Sequence, residues 1–154
     1  MRTRRTLNRG PGHASVVVEA DDDATLLEIA RNELGVRSAS RACTDGTCGA
    51  CRLLIDDEIV ASCRRTWDSV PDGARVEAYE DVAVDAAAEA AVTKFEAERP
   101  TRCRMCVGAL GVTAVALARR GRSGDTEAIA LTLETATCMC TGRGSWRRAL
   151  ATSR

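Results

Sequence analysis

This chain of 154 residues carries 22 basic and 22 acidic side chains, so its formal net charge is zero. With no excess of positive charge and only two Trp, one Tyr and one Phe, the composition excludes the basic, aromatic-rich surface typical of nucleic-acid binding. The longest apolar run, residues 107–118, is too short to cross a bilayer, so no membrane contact is predicted. No apolar segment follows the basic N-terminus, so no secretory signal is predicted. The predicted location is therefore cytoplasmic.

The first half of the chain has the pattern of a mixed α/β unit. Residues 14–19 are rich in β-branched side chains, which predicts a strand. Thr25 is a suitable N-cap for a helix, because the apolar residues after it recur at helical spacing. Gly35 is predicted to occupy the position just after this helix, where a left-handed conformation is common.

A β-hairpin is predicted over residues 52–62. It turns at Asp56 and Asp57, because aspartate tolerates the left-handed conformations that a tight turn requires. The hairpin would return Cys63 to the cysteine-rich segment that precedes it. A final strand is predicted over residues 75–79.

The second half has a helical pattern. A first helix is predicted over residues 85–98, and Thr101 is predicted to cap a second that ends at Gly121. A third helix is expected to begin at Asp125, and a short one to follow over residues 145–150. Within the second helix, Gly108 and Gly111 predict close packing against a neighbouring element rather than a phosphate loop.

The eight cysteines divide equally between the two halves, which predicts two modules, residues 1–84 and 85–154. Four thiolates at fixed loop spacing form one complete ligand set for a metal centre. The first set has the C-x4-C-x2-C run of plant-type [2Fe–2S] proteins, and the second combines a CxxC with a later CxC. The first set is Cys43, Cys48, Cys51 and Cys63, and the second is Cys103, Cys106, Cys138 and Cys140.

Other uses of these cysteines have to be weighed. Disulfides are disfavoured in a reducing compartment, whereas structural zinc remains an alternative to iron–sulfur clusters. A Rieske centre is excluded because it needs two histidines and His13 is the only one. Gly46 and Gly49 favour a cluster at the first set, since backbone N–H groups without a Cβ can approach the sulfurs closely.

Three segments together resemble the small iron–sulfur subunit of the molybdenum hydroxylases, the family of xanthine dehydrogenase, aldehyde oxidoreductase and aerobic carbon monoxide dehydrogenase. Residues 43–51, Cys-Thr-Asp-Gly-Thr-Cys-Gly-Ala-Cys, and the hairpin after them are similar to its first cluster motif. Residues 25–31 are similar to its TLLDxLR helix, and residues 138–142 to its CRCTG signature. The resemblance extends over nearly the whole chain.

The resemblance implies an α+β fold, with an N-terminal β-grasp ferredoxin-like domain and a C-terminal four-helix domain that each hold one [2Fe–2S] cluster. It also implies that a large partner subunit binds molybdopterin and that a medium one binds FAD, in a dimer of heterotrimers. Electrons would pass from molybdopterin through the C-terminal and then the N-terminal cluster to FAD. No catalytic residue is predicted on this chain itself.

Several arginines flank the predicted ligands, and they either offset cluster charge, contact partner subunits or form ordinary solvated surface. Arg102 occupies the position of a glutamine that lies beside the pterin in the family. It is predicted to pair with a phosphate or carboxylate across the subunit interface. Two other functions remain open: a free-standing ferredoxin, and a zinc-stabilised interaction module without redox activity.

Overall fold

The computed structural model describes residues 1–136 and 140–151, so Cys138 lies outside the described residues. The fold is α+β, as predicted. Within the described residues, no helix is both long enough and apolar enough to cross a membrane. The elements in chain order are β1 (Arg2–Leu7), β2 (Val16–Asp21), α1 (Leu26–Asn32), β3 (Arg52–Ile55), β4 (Glu58–Ala61), β5 (Val76–Glu77), α2 (Tyr79–Val82), α3 (Glu89–Glu98), α4 (Arg104–Arg119), α5 (Thr126–Glu134) and α6 (Arg147–Leu150).

The strands form two antiparallel groups joined by a single parallel bridge. β1 pairs with β2, and β3 lies between β4 and β5. The bridge pairs Asn8 with Arg75 and places the end of β1 beside β5. The Asn8 N–H donates to the Ala74 carbonyl at 2.9 Å, and the Val76 N–H donates to the Asn8 carbonyl at 2.7 Å. The resulting strand order is β2-β1-β5-β3-β4.

Strand β1 was missed by the sequence prediction, and the next strand lies at Val16–Asp21 rather than residues 14–19. Nearly all the residues of β1 are Arg or Thr, so its polar composition hides the alternation of a strand. The Arg5 guanidinium nevertheless lies over the buried Trp67, with its central carbon 5.8 Å from the ring centroid. This polar strand therefore contacts the core through a cation on an aromatic ring.

Helix α1 begins as predicted, with Thr25 as its N-cap. The Glu28 N–H donates to the Thr25 hydroxyl at 3.3 Å, and the Thr25 N–H donates to the Glu28 carboxylate at 2.8 Å, which completes a capping box. The helix ends at Asn32, so Gly35 lies beyond the cap residue Glu33 rather than directly after the helix. Gly35 adopts the predicted left-handed conformation, with φ of +68°.

The predicted hairpin is confirmed as β3 and β4. Asp56 and Asp57 have φ of +48° and +69°, the two left-handed residues of a type I′ turn. The predicted strand over residues 75–79 is wrong at its end, because the strand covers only Val76–Glu77 and Tyr79 begins helix α2. The Asp81 carboxylate accepts the Ala78 N–H at 2.8 Å and stabilises this helix start.

The predicted helices of the second half are present, with three corrected starts. The first α-helix begins at Glu89 rather than at residue 85, because a 3₁₀ turn occupies Ala86–Ala88, and the last begins at Arg147 rather than at residue 145. Asp125 caps α5 by accepting the Ala128 N–H at 2.9 Å, and Gly121 follows α4 with φ of +66°. The N-cap of α4 is Cys103 rather than Thr101. The Thr101 hydroxyl accepts the Cys103 N–H at 3.2 Å and so orders the segment before the helix instead of capping it.

Helix α4 is buried along most of its length and packs against the N-terminal half. Leu54 on β3 shares an apolar cluster with Val112 and Val115 of α4. A Cβ at Gly108 would lie 2.6 Å from the Ser38 carbonyl oxygen, and a Cβ at Gly111 would lie 2.3 Å from the Tyr79 ring. The predicted close packing at these two glycines is therefore confirmed.

Candidate metal centres

The first cysteine set lies on the loop between α1 and β3 and just after the hairpin. Cys51 immediately precedes β3, and Cys63 follows β4 after one intervening residue. Cys51 and Cys63 are buried, whereas Cys43 and Cys48 are partly exposed. The hairpin thus brings Cys63 back to the loop, as its position in the sequence suggested.

The four thiols of this set interact in two pairs. The side chains of Cys43 and Cys48 are hydrogen-bonded to each other, and so are those of Cys51 and Cys63. The Cys43 charge also acts on Cys63, so the two pairs are neighbours. This arrangement suits a [2Fe–2S] core, in which each iron takes two ligands from the protein.

Backbone N–H groups point at the sulfur atoms of this loop. The Cys48 N–H donates to the Cys43 sulfur and lowers the pKa of that thiol, while the Ala50 N–H donates to the Cys48 sulfur at 3.4 Å. Burial raises the pKa of Cys48, and burial together with the neighbouring Cys51 raises the pKa of Cys63 to about 11. An iron core would have to displace these protons, since thiolates are the ligands.

Gly46 and Gly49 lie where side chains would obstruct the loop. Both have positive φ, +79° and +75°. A Cβ at Gly49 would lie 2.5 Å from the Thr135 carbonyl oxygen and 3.0 Å from the Arg52 Nε, whereas the atoms nearest to a Cβ at Gly46 belong to the flexible side chain of Arg64. The loop therefore tolerates a side chain less well at position 49 than at position 46.

The second cysteine set is described only in part. Cys103 is the N-cap of α4, and Cys106 is the third residue of that helix, with 9 % of its surface exposed. Cys140 is exposed, and Cys138 is outside the described residues. Cys103 and Cys106 thus lie at the positive end of the α4 dipole, which favours an anionic group.

No three His, Cys, Asp or Glu side chains in residues 1–136 and 140–151 are grouped so that they could hold one metal ion. The first set instead presents paired thiols, inward N–H donors and a glycine-lined loop. These features fit a dinuclear iron–sulfur core with four thiolate ligands.

The two cysteine sets meet at a shared boundary between the halves of the protein. A cavity of about 10 Å³ is lined by Cys48, Gly49 and Ala50 from the first loop and by Cys106, Ala109, Leu110 and Ala136 from the helical half. One cysteine of each set therefore borders the same small space.

Arg102 is exposed, directly precedes Cys103 in the sequence and does not line this small cavity. It lines a groove of about 730 Å³ between the halves, together with Arg37, Arg99 and Arg104. Arg99 is paired with Glu96 at 2.8 Å. The groove also contains Glu80, whose carboxylate accepts the Arg37 N–H at 2.6 Å.

Sequence reasoning did not distinguish Arg52 from the other arginines near the cysteines. The structure buries it, with 5 % of its surface exposed, while Arg41, Arg64 and Arg104 are exposed. No local pattern signals this difference, because the groups that cover Arg52 come from α4 and α5, far away in the sequence.

Comparison with known proteins agrees with this geometry. Residues 12–80 match the family described as the 2Fe-2S iron-sulfur cluster binding domain. A nicotinate dehydrogenase subunit of Pseudomonas putida is 30% identical over 125 residues, which are 81% of this chain and 79% of that protein. The nicotinate dehydrogenase small FeS subunit of Eubacterium barkeri is 26% identical over 136 residues, 88% of this chain and 85% of that protein.

The chain belongs to the family of small iron–sulfur subunits of molybdenum hydroxylases. Quinoline 2-oxidoreductase from Pseudomonas putida 86 has the same fold, with a TM-score of 0.79 and 21% identity over 99% of this small subunit and 93% of that chain. Aldehyde oxidoreductase of Megalodesulfovibrio gigas is 34% identical over 62 residues, and there the match spans only 7% of its length. That relative is therefore a much longer polypeptide, and the match covers 40% of this chain.

Proposed function

We propose that this chain is an electron-transfer subunit that holds two [2Fe–2S] clusters, one in each cysteine set. It relays electrons from molybdopterin on a large subunit to FAD on a medium subunit, in a dimer of heterotrimers. The observation that carries the proposal is the cavity bordered by both Cys48 and Cys106, because it leaves the two ligand sets in direct proximity. A [2Fe–2S] cluster, when bound, supplies one-electron oxidation and reduction.

The residues of this chain have defined tasks in the proposal. Cys43, Cys48, Cys51 and Cys63 would hold the first core, through the two thiol pairs described above. Gly46 and Gly49 keep the loop narrow, so that backbone N–H groups reach the sulfurs. The second core is held by Cys103 and Cys106 at the start of α4 together with Cys138 and Cys140.

Arg102 is proposed to contact the large subunit. The groove that it lines has three further arginines, of which Arg99 is paired within this chain. A phosphate or carboxylate of the partner would find a complementary charge there. Replacing Arg102 with Gln should weaken the association with the large subunit, whereas both clusters should remain.

Iron and acid-labile sulfide analysis of the anaerobically purified chain tests cluster binding directly. We expect about four of each per chain and a brown colour that dithionite bleaches. Cys63→Ser and Cys106→Ser should each reduce the iron content by about half, because each removes a ligand of one set. Met105→Leu is the matched control beside Cys106, and it should keep all the iron.

Colourless protein that contains zinc would contradict the proposal and favour an interaction module. Association is tested separately, by tagging this chain in its native organism and identifying the proteins that copurify with it. A large molybdopterin protein and a medium flavoprotein should appear in equal amounts. Brown protein that copurifies with neither would favour a free-standing ferredoxin.

A further inference from the structure

Arg52 is a buried cation at the boundary of the two cysteine sets. It directly follows Cys51, and 5 % of its surface is exposed. Among the described residues its guanidinium makes three hydrogen bonds, all to the helical half: Nη1 donates to the Thr113 hydroxyl at 3.3 Å, and Nη2 donates to the Thr132 carbonyl at 2.6 Å and to the Thr135 hydroxyl at 2.9 Å. These acceptors lie on or just beyond α4 and α5.

All three of these acceptors are electrically neutral. This differs from Arg119, another arginine with many contacts between the halves, which pairs with carboxylates. A buried guanidinium without a counter-charge is costly. Cys51 directly precedes Arg52, and Cys51 and Cys48 lie close enough for negative charge on their sulfur atoms to act on the guanidinium. Thiolates that ligate a cluster at the first cysteine set would therefore supply the counter-charge that the three acceptors lack.

We propose that Arg52 is a positioning residue that holds the first cysteine loop against the helical half and stabilises the reduced state of the first cluster. This inference rests on the proposed function, because it requires a cluster at Cys43, Cys48, Cys51 and Cys63. Guanidinium stays protonated at any working pH, so the positive charge is permanent.

The positive charge of Arg52 changes the midpoint potential because it stabilises the reduced cluster more than the oxidised one. One-electron reduction makes the cluster more negative, and a fixed cation in a poorly solvated site attracts that added charge more strongly than a cation at the same distance in water does. The midpoint potential of the first cluster is therefore higher with Arg52 than without it. An exposed arginine near the same cysteines has a smaller effect, because solvent and salt screen it.

The hydrogen bonds of Arg52 act on the position of the loop. They anchor the start of β3 to Thr132 and Thr135, and Gly49 lies against the Thr135 carbonyl oxygen beside the Arg52 Nε. One side chain thus fixes the loop that carries Cys48 and Cys51 at the cavity that Cys106 also lines.

Redox titration of purified chains, followed by EPR of the reduced state, tests this inference. Arg52→Gln should lower the midpoint potential of the first cluster, and Arg52→Lys should keep it near that of the parent. Arg64→Gln is the matched control, since Arg64 is an exposed arginine directly after Cys63. In this variant the midpoint potential of the first cluster should hardly change. A Cys106→Ser background assigns the step to the first cluster.

Arg52→Gln with full iron and the parent potential would overturn the inference, as would an Arg52→Lys potential as low as that of Arg52→Gln. If Arg52→Gln takes up no iron, the Thr135→Val variant provides the test, because it removes one hydrogen bond of Arg52 and keeps the positive charge. The midpoint potential of its first cluster should stay near that of the parent. A large fall in that potential would overturn the charge effect. A parent chain without iron would refute the proposed function itself, and iron analysis separates that result from these.

Discussion

Arg119 forms a two-point ion pair with Glu77, with Nη1 2.8 Å from Oε2 and Nη2 3.0 Å from Oε1. Glu77 is fully buried, and its Oε2 also lies 3.2 Å from the Arg75 Nε. Arg119 further reaches Asp57 on the hairpin turn at 2.8 Å and Asp85 at 3.0 Å. The last residue of α4 is therefore bonded to the β3–β4 turn, to β5 and to the start of the helical half.

Arg119→Met should destabilise the protein strongly, because it takes one of two arginine partners away from a buried carboxylate and leaves Arg75 to neutralise it. Loss of one member of a buried pair typically costs about 3 kcal/mol. The free energy of unfolding in urea measures this cost. Arg122→Met is the control, because its ion pair with Asp125 is exposed, and its unfolding midpoint should match the parent. Equal midpoints for both variants would show that the buried pair is dispensable.

Gly49→Ala should impair the first cluster more than backbone strain alone explains. Its Cβ would meet the Thr135 carbonyl oxygen at 2.5 Å, so the loop has to move away from the helical half. We expect the iron content to fall to about half, since only the first set is affected. Gly73→Ala is matched to it, because φ is +78° but no described atom outside its chain neighbours lies within 4 Å of the added Cβ. That variant should lose only about 1 kcal/mol of stability and no iron.

Tyr79, the only tyrosine of the chain, should resist ionisation in the native state. Burial and the hydrogen bond that its hydroxyl donates to Glu96 raise the pKa of Tyr79. A pKa raised by folding contributes stability below the unfolded value of about 10, and this stability is lost as the pH rises further. Tyrosinate absorbance should therefore appear at higher pH in the native protein than in denaturant.

Two variants check the origin of that shift. Glu96→Gln removes the acceptor charge, so the native titration should move towards lower pH without reaching the denatured value, because the burial remains. In Tyr79→Phe the free energy of unfolding should fall less at alkaline pH than in the parent, because the hydroxyl that ionises is gone. A native titration that coincides with the denatured one would contradict the burial of this hydroxyl.

Removal of iron with a chelator should loosen the first cysteine loop without unfolding the strands. The Ser40 N–H donates to the Ala50 carbonyl at 3.0 Å and the Arg52 N–H to the Gly49 carbonyl at 3.2 Å, at the ends of the loop. The hydrogen bonds in its middle are local ones, such as that from the Thr47 N–H to the Asp45 carboxylate and that from the Ala50 N–H to the Cys48 sulfur, so metal ligation would be the main restraint that ties the middle to Cys63. Trypsin should then cleave after the exposed Arg41 in the iron-free chain and not in the loaded one. Cleavage after Arg122, in an exposed turn distant from that loop, should occur at the same rate in both forms.

Local signals in the sequence predicted the elements whose causes are local. Thr25 and Asp125 cap their helices through side chains three residues from the N–H groups they accept, and the Asp56–Asp57 turn depends on two adjacent conformations. The spacing of the first three cysteines predicted one loop for the same reason. These features need no knowledge of the rest of the chain.

Features that depend on distant partners were not predictable. The polar residues of β1 become a strand only because β2 and the Asn8–Arg75 bridge supply hydrogen bonds. Arg52 resembles any surface arginine until α5 covers it, through contacts with Thr132 and Thr135, which lie 80 and 83 positions later. Tyr79 has strand propensity, yet the Asp81 cap places it in a helix.

Helix α4 has 16 residues, about 24 Å of rise, and each of its ends performs a separate task. Cys106 lies in its first turn and Arg119 at its last residue. Inserting a single residue between them would rotate one end relative to the other by about 100°. The thiol and the guanidinium could then not both face their present neighbours, so the contacts at its two ends constrain the length of α4 to the residue.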